Sequence, residues 1–146
     1  MSREMVEIVR ALQPRADMVA RFRDEETAAA AEQAATPLFE PDFEVLFVRS
    51  DVERATYRGF DGLRSAMIDW LEPWESYRSE IEELVDLGDR VAVLVRDYGR
   101  REGMEREIDF RGVSVYVFRG DRISRIEFHF DREEGMAAVG LRGGGS

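Results

Sequence analysis

The sequence contains no cysteine. That excludes a disulfide framework, a thiolate zinc site and a cysteine nucleophile. It contains no lysine, so all 21 of its basic residues are arginine, and Schiff-base lysine chemistry is excluded as well. Its one histidine, His129, cannot build a multi-histidine metal site within one chain. No apolar run approaches the ~20 residues that a membrane span needs. The opening residues MSREMVEIVR have no apolar signal-peptide region. Basic residues are also outnumbered: 31 acidic against 21 basic give a formal net charge of −10. That disfavours nucleic acid, whose binding rests on neutralising phosphates. These absences predict a cytoplasmic protein with neither a membrane nor a nucleic-acid partner. The use of arginine in place of lysine predicts a GC-rich, bacterial genome.

What is present is enough for a core. Hydrophobic residues make up 44% of 146, and a domain of this size buries roughly 70% of its unfolded surface. One domain over residues 1–141 is predicted, with 142–146 as a flexible tail. Met5, Ile8, Val9 and Leu12 recur at helical spacing within 4–12, and Gln13-Pro14 ends that helix. Asp17 is placed to cap a second helix with Met18 and Phe22 inward. The alanine-rich run Glu25 to Ala35 continues it or opens a third, and Thr36-Pro37 stops it.

From Asp42 the pattern turns strand-like. FEVLFV and VERATY flank a turn at Ser50-Asp51. A helix capped by Asp61 follows, with Leu63, Met67, Trp70, Leu71 and Trp74 on one face. EIEELVDL and RVAVLVRDYG then form a hairpin about Gly88-Asp89. REIDFRGVSVYVFR and RISRIEFHF form another about Gly120-Asp121. The charged GRREGMERE joins them as a loop, and REEGMAAVGL forms a short terminal helix. Helices segregated from a run of strands predict an α+β fold with a strongly bent antiparallel sheet. Strand 91–98 is apolar on both faces, Val91, Val93 and Val95 on one and Ala92 and Leu94 on the other. Helices cover one face. A second subunit is the simplest cover for the other, so a homodimer through the outer sheet face is predicted.

The stretch from Tyr57 to Leu141 resembles the SnoaL-like branch of the nuclear-transport-factor-2-like superfamily. The resemblance is carried by Tyr57-Arg58-Gly59 leading into the Asp61 helix, by DLGDRVAVLVRDYGR, and by VYVFRGDRISRIEFHFDREEGMAAVGL. It implies a cone-shaped bent sheet wrapped around the N-terminal helices, a pocket between them, and frequent dimers. Isomerases, cyclases, epoxide hydrolases, dehydratases and non-enzymatic binders share this fold.

Apolar alternation turns Ile126, Phe128 and Phe130 inward, and Arg125, Glu127, His129 and Asp131 outward. On strand 108–118 the inward set is Phe110, Gly112, Ser114, Tyr116 and Phe118. On strand 91–98 the resemblance to epoxide hydrolases favours Leu94, Arg96 and Tyr98 as pocket-facing. Val45 and Phe47 join from the first strand, and Trp70 and Trp74 close the pocket from the helix. The hydrolase pattern itself is broken, because Tyr98 and Phe128 stand where its two aspartates would. No carboxylate faces inward by this reading. Glu44, Asp97 and Glu127 lie on the opposite alternation, from which a bulge would bring one in.

The candidate catalytic residues are thus Arg96, Tyr98, Tyr116 and His129. The candidate ligand contacts are Val45, Phe47, Trp70, Trp74, Leu94, Phe110, Ser114 and Phe128. Arg96 either pairs with a neighbouring Asp or Glu or orients a ligand oxygen. His129 is either a general base paired with Asp131 or Glu127, or a sheet residue facing away. The acidic cluster Glu80, Glu82 and Glu83 reads as a solvated strand edge. No cofactor and no metal are implied. The expected partner is a small apolar or polyketide-like carbonyl compound. Three readings stay open: acid–base chemistry of isomerase, cyclase or dehydratase type, non-catalytic binding, and an interaction module.

Overall fold

A computed structural model describes residues 2–13, 18–19, 24–48 and 54–141. The expected cap at Asp17, the inward Phe22, the turn at Ser50-Asp51 and the tail 142–146 lie outside these residues. In chain order the elements are α1 (Ser2–Leu12), α2 (Glu25–Ala35), a 3-10 turn (Thr36–Leu38), β1 (Phe39–Val48), β2 (Arg54–Arg58), α3 (Gly59–Leu71), β3 (Ser76–Asp86), β4 (Arg90–Arg100), β5 (Ile108–Arg119), β6 (Arg122–His129) and α4 (Arg132–Ala138). Among the described residues no helix is long and apolar enough to cross a membrane.

The six strands form one sheet in the order β2-β1-β6-β5-β4-β3. It is mixed: four of its pairings are antiparallel, as expected, and one, β1 with β6, is parallel. Hairpins join β3 to β6 in sequence, and β6 then lies beside β1 in the same direction, pairing Val45 with Ile126 and Phe47 with Phe128. Register shifts between Phe39 and Glu44, Ile81 and Glu83, and Val117 and Phe118 interrupt the ladders. Such bulges bend and twist a strand. The two tight hairpins carry Gly88 and Gly120 at φ of 95° and 65°, the backbone region that glycine alone enters without steric cost.

Asp24 caps α2 by accepting from the Glu26 amide. Asp61 caps nothing: α3 begins two residues earlier, at Gly59, and Asp61 sits in its first turn, where a carboxylate suits the helix dipole. The helix also stops at Leu71, short of Trp74.

The main core lies between the concave face and the helices. It joins Val9 of α1, Phe43, Val45 and Phe47 of β1, Met67 and Leu71 of α3, and Val91, Val93 and Val95 of β4. A second, smaller cluster lies on the outer face. There Val139, with Met136 beside it, covers Ala92, Val113 and Val115. The chain itself therefore supplies part of the cover that the sequence reading assigned to a second subunit.

Candidate functional site

A cavity of about 270 Å³ opens between the concave face, α2 and α3. Its wall is mostly aliphatic and aromatic, with Phe39, Phe47, Phe60, Met67, Trp70 and Phe128 among the contributors. It combines apolar walls with a few placed polar groups. Glu32 and Asp61 line it and are exposed, so they mark where it meets solvent.

One polar group on this wall is Asp97, which is half-buried. On β4 the alternation places Val91, Val93, Val95 and Asp97 on the concave face, because they pair with Tyr116, Ser114, Gly112 and Phe110 of β5. On its other side β4 pairs with β3, which sets Ser79 directly opposite Asp97 and Tyr77 opposite Gly99. The Tyr77 hydroxyl donates to Asp97 Oδ2 at 2.7 Å, and the Ser79 hydroxyl donates to Oδ1. The Trp70 indole is in turn a hydrogen-bond partner of Tyr77 and packs edge-on against its ring at 6.0 Å between centroids.

Burial pushes the Asp97 carboxyl above the ordinary carboxylate value, and the hydrogen bonds from Ser79 and Tyr77 only partly offset that. Burial, reinforced by the adjacent carboxylate, pushes the Tyr77 hydroxyl far up, so it remains a donor at any ordinary pH. A half-buried carboxyl with a raised pKa on a cavity wall is an arrangement that acid–base catalysis uses. Asp97 also lines a second, smaller crevice of about 90 Å³ that reaches past Phe110 and Arg111.

Gln13, Arg64, Ser114 and Tyr116 are further polar residues on the main cavity wall. Gln13 donates from Nε2 to the Tyr116 hydroxyl at 3.1 Å and to the Val9 carbonyl at 2.9 Å, which ties the end of α1 to β5. Arg64 of α3 forms part of the same wall. Its Nε is the one buried side-chain nitrogen or oxygen, among the described residues, with no hydrogen-bond partner.

Of the residues predicted from sequence, Phe47, Trp70, Ser114, Tyr116 and Phe128 line the main cavity, and Phe110 lines the smaller crevice. Val45 is fully enclosed in the core instead. Trp74 packs over Gly99, where an added Cβ would come within 2.6 Å of the indole.

Leu94, Arg96 and Tyr98 do not face the cavity. They pair with Val113, Arg111 and Asp109 on the outer face. Arg96 is bound to Asp109 at 2.7 Å, and Tyr98 lies beneath the Arg78 guanidinium at 3.9 Å. The expected facing of this strand is reversed because it followed the resemblance to epoxide hydrolases, whereas the valines at 91, 93 and 95 turn to the larger core. His129 is outward as expected, buried beside Glu127 with Nε2 to Oε1 at 2.9 Å. That hydrogen bond and Arg125 hold the Glu127 carboxyl below its ordinary value against the effect of burial. Among the described residues no group of three or more His, Asp or Glu is placed to hold a metal ion.

The profile of the SnoaL-like domain family matches residues 17–126. The chain belongs to that family. No curated protein matches it significantly. Solved structures match it in fold. One is a hypothetical protein of ketosteroid-isomerase-like fold from Catenulispora acidiphila, in complex with trimethylamine, with TM-score 0.60, 18% identity and coverage of 92% of this chain and 93% of that one. Another is a phenazine biosynthesis-related protein from Pseudomonas aeruginosa, with TM-score 0.61, 14% identity and coverage of 87% and 75%. A third is TerC co-crystallised with polyporic acid, with TM-score 0.55, 19% identity and coverage of 71% and 88%. At these identities the likeness is one of fold alone.

Proposed function

We propose that this SnoaL-like protein binds a small, largely apolar carbonyl compound in the main cavity and moves a proton on it through Asp97. The observation that carries the reading is a half-buried carboxyl on the cavity wall, held through both oxygens by Tyr77 and Ser79. Raising the pKa of a carboxyl makes its ionised form a stronger base and its neutral form available as an acid nearer neutral pH. Asp97 takes the proton from the carbon beside the carbonyl, and the developing oxyanion needs a donor. Tyr116, bonded to Gln13, and Ser114 are the hydroxyl groups on that wall suited to it. Structural relatives that hold polyporic acid or serve phenazine biosynthesis support a cyclic, oxygenated ligand class.

The test is deuterium exchange in D2O at the carbon beside the carbonyl of 1-tetralone, followed by NMR. The wild type accelerates it and Asp97→Asn does not. Exchange at the uncatalysed rate with bound ketone would instead favour the second reading, a non-catalytic binder. That reading draws on the rest of the wall, which is chiefly Phe, Trp, Met and Ala. The cytoplasmic setting and a homodimer through the outer face belong to the same proposal. A second copy would meet the ion-paired strip of Arg78, Glu107, Arg96 and Asp109, and sedimentation would read twice the chain mass.

A further inference from the structure

We infer that Arg64 selects the ligand, and that the compound taken into the cavity carries a carboxylate or an equally acidic oxygen besides its apolar body. The inference rests on the reading of the cavity as a small-molecule site. A buried N–H without an acceptor is uncommon and costs stability, so each one in a folded protein calls for a cause. Arg64 Nε is the one such side-chain atom among the described residues, and its side chain belongs to the cavity wall. It is also the one cationic side chain among the described residues that line the cavity.

Asp61, three residues earlier on α3, is near enough in sequence to neutralise it, yet no ion pair forms between them within 4.0 Å among the described residues. Glu32 and Asp61 are exposed, so solvent and salt screen them. Asp97 is already engaged by Tyr77 and Ser79. Little inside the cavity therefore competes with a ligand oxygen for the guanidinium. The guanidinium is a planar fork matched to the two oxygens of a carboxylate, and a turn of the side chain is needed to bring its enclosed Nε–H to a ligand.

Position supports the same division of labour. Arg64 precedes Trp70 by six residues on α3, roughly 9 Å along the helix axis, and Trp70 is the residue that touches Tyr77 beside Asp97. A ligand with its acidic group at Arg64 would thus extend its other end along the helix toward the carboxyl of Asp97.

Two probes of the same ring and size separate the claims: 2-naphthoate and its neutral counterpart 2-acetylnaphthalene, titrated calorimetrically at pH 7. The wild type is expected to bind the carboxylate at least about tenfold more tightly than the ketone, the worth of one charge-assisted hydrogen bond. Arg64→Gln should bring that ratio close to one by weakening carboxylate binding far more than ketone binding. Arg64→Lys, which keeps charge but not the planar fork, should keep only part of it. It serves as the test variant if the glutamine form does not fold. Ketone binding with no preference for the carboxylate, or a preference that survives the substitution, overturns the role of Arg64 alone. Failure of both probes to bind overturns the small-molecule reading and this inference together.

Discussion

The Tyr77 hydroxyl meets Asp97 Oδ2 at 2.7 Å across neighbouring strands, because β3 and β4 are registered with Ser79 opposite Asp97 and Tyr77 one inward position away. The same register gives the second carboxyl oxygen to Ser79. The pair brings a permanent donor and a carboxyl that resists ionisation to one cavity wall, and most of what can be tested follows from it.

The first consequence is a pH dependence of stability. Burial raises the folded-state pKa of Asp97. A carboxyl raised on folding binds its proton more tightly in the native state, so its contribution is fully present below the unfolded value near 3.8 and is lost as pH rises through the folded value. Asp97→Asn removes that loss. Urea denaturation across pH 3.5 to about 8 should show the variant gaining on the wild type as pH rises, with no gain at the acid end.

Tyr77→Phe deletes one of the two donors that oppose burial at Asp97. The carboxyl pKa should then climb further, and the ascending limb of the exchange rate against pH should move to higher pH. The lost hydrogen bond should cost about 1 kcal/mol of stability. A structural role alone would lower stability without displacing the pH profile.

The Glu127–His129 pair lies on the outer face, away from the main cavity. The Glu127 pKa is lowered, so its stabilisation is present above the unfolded value near 4.5 and disappears as pH falls through the folded one. Glu127→Gln should destabilise the protein at neutral pH by about 1–3 kcal/mol. Calorimetric titration should find ligand affinity unaltered.

Trp74 is a packing residue over Gly99. An alanine at position 99 would press its Cβ to 2.6 Å from the indole. Gly99→Ala should therefore cost about 1–3 kcal/mol through overpacking, read by thermal melts, and the near-ultraviolet dichroism of the tryptophans should change with it.

Much of this architecture was legible in the sequence because the periodicities are strong. The Leu63–Trp70 stripe, the two glycine-led hairpin turns and the alternation of β5 and β6 all lead to the α+β fold and the inward set Phe110, Ser114, Tyr116 and Phe128. Strand β4 was not legible in the same way. It is apolar on both faces from Val91 to Val95, so alternation alone does not say which face is inside, and one step exchanges Asp97 for Arg96. The signal that resolves it was present: Arg96 and Tyr98 are large polar groups suited to a solvated ion-paired face. Gly99 also fits only where something such as Trp74 lies close. Arg64 and Gln13 carried no signal, since their place on the cavity depends on how helices and sheet pack in three dimensions. The parallel β1–β6 pairing is likewise a tertiary event between strands more than seventy-five residues apart.

Proton transfer from the concave face of β4 has one direct test: exchange on 1-tetralone by Asp97→Asn beside Arg96→Gln and Tyr98→Phe, all confirmed folded. The structure predicts exchange reduced to background in the first and unchanged in the other two. Full exchange in Asp97→Asn with loss in Arg96→Gln or Tyr98→Phe would contradict it.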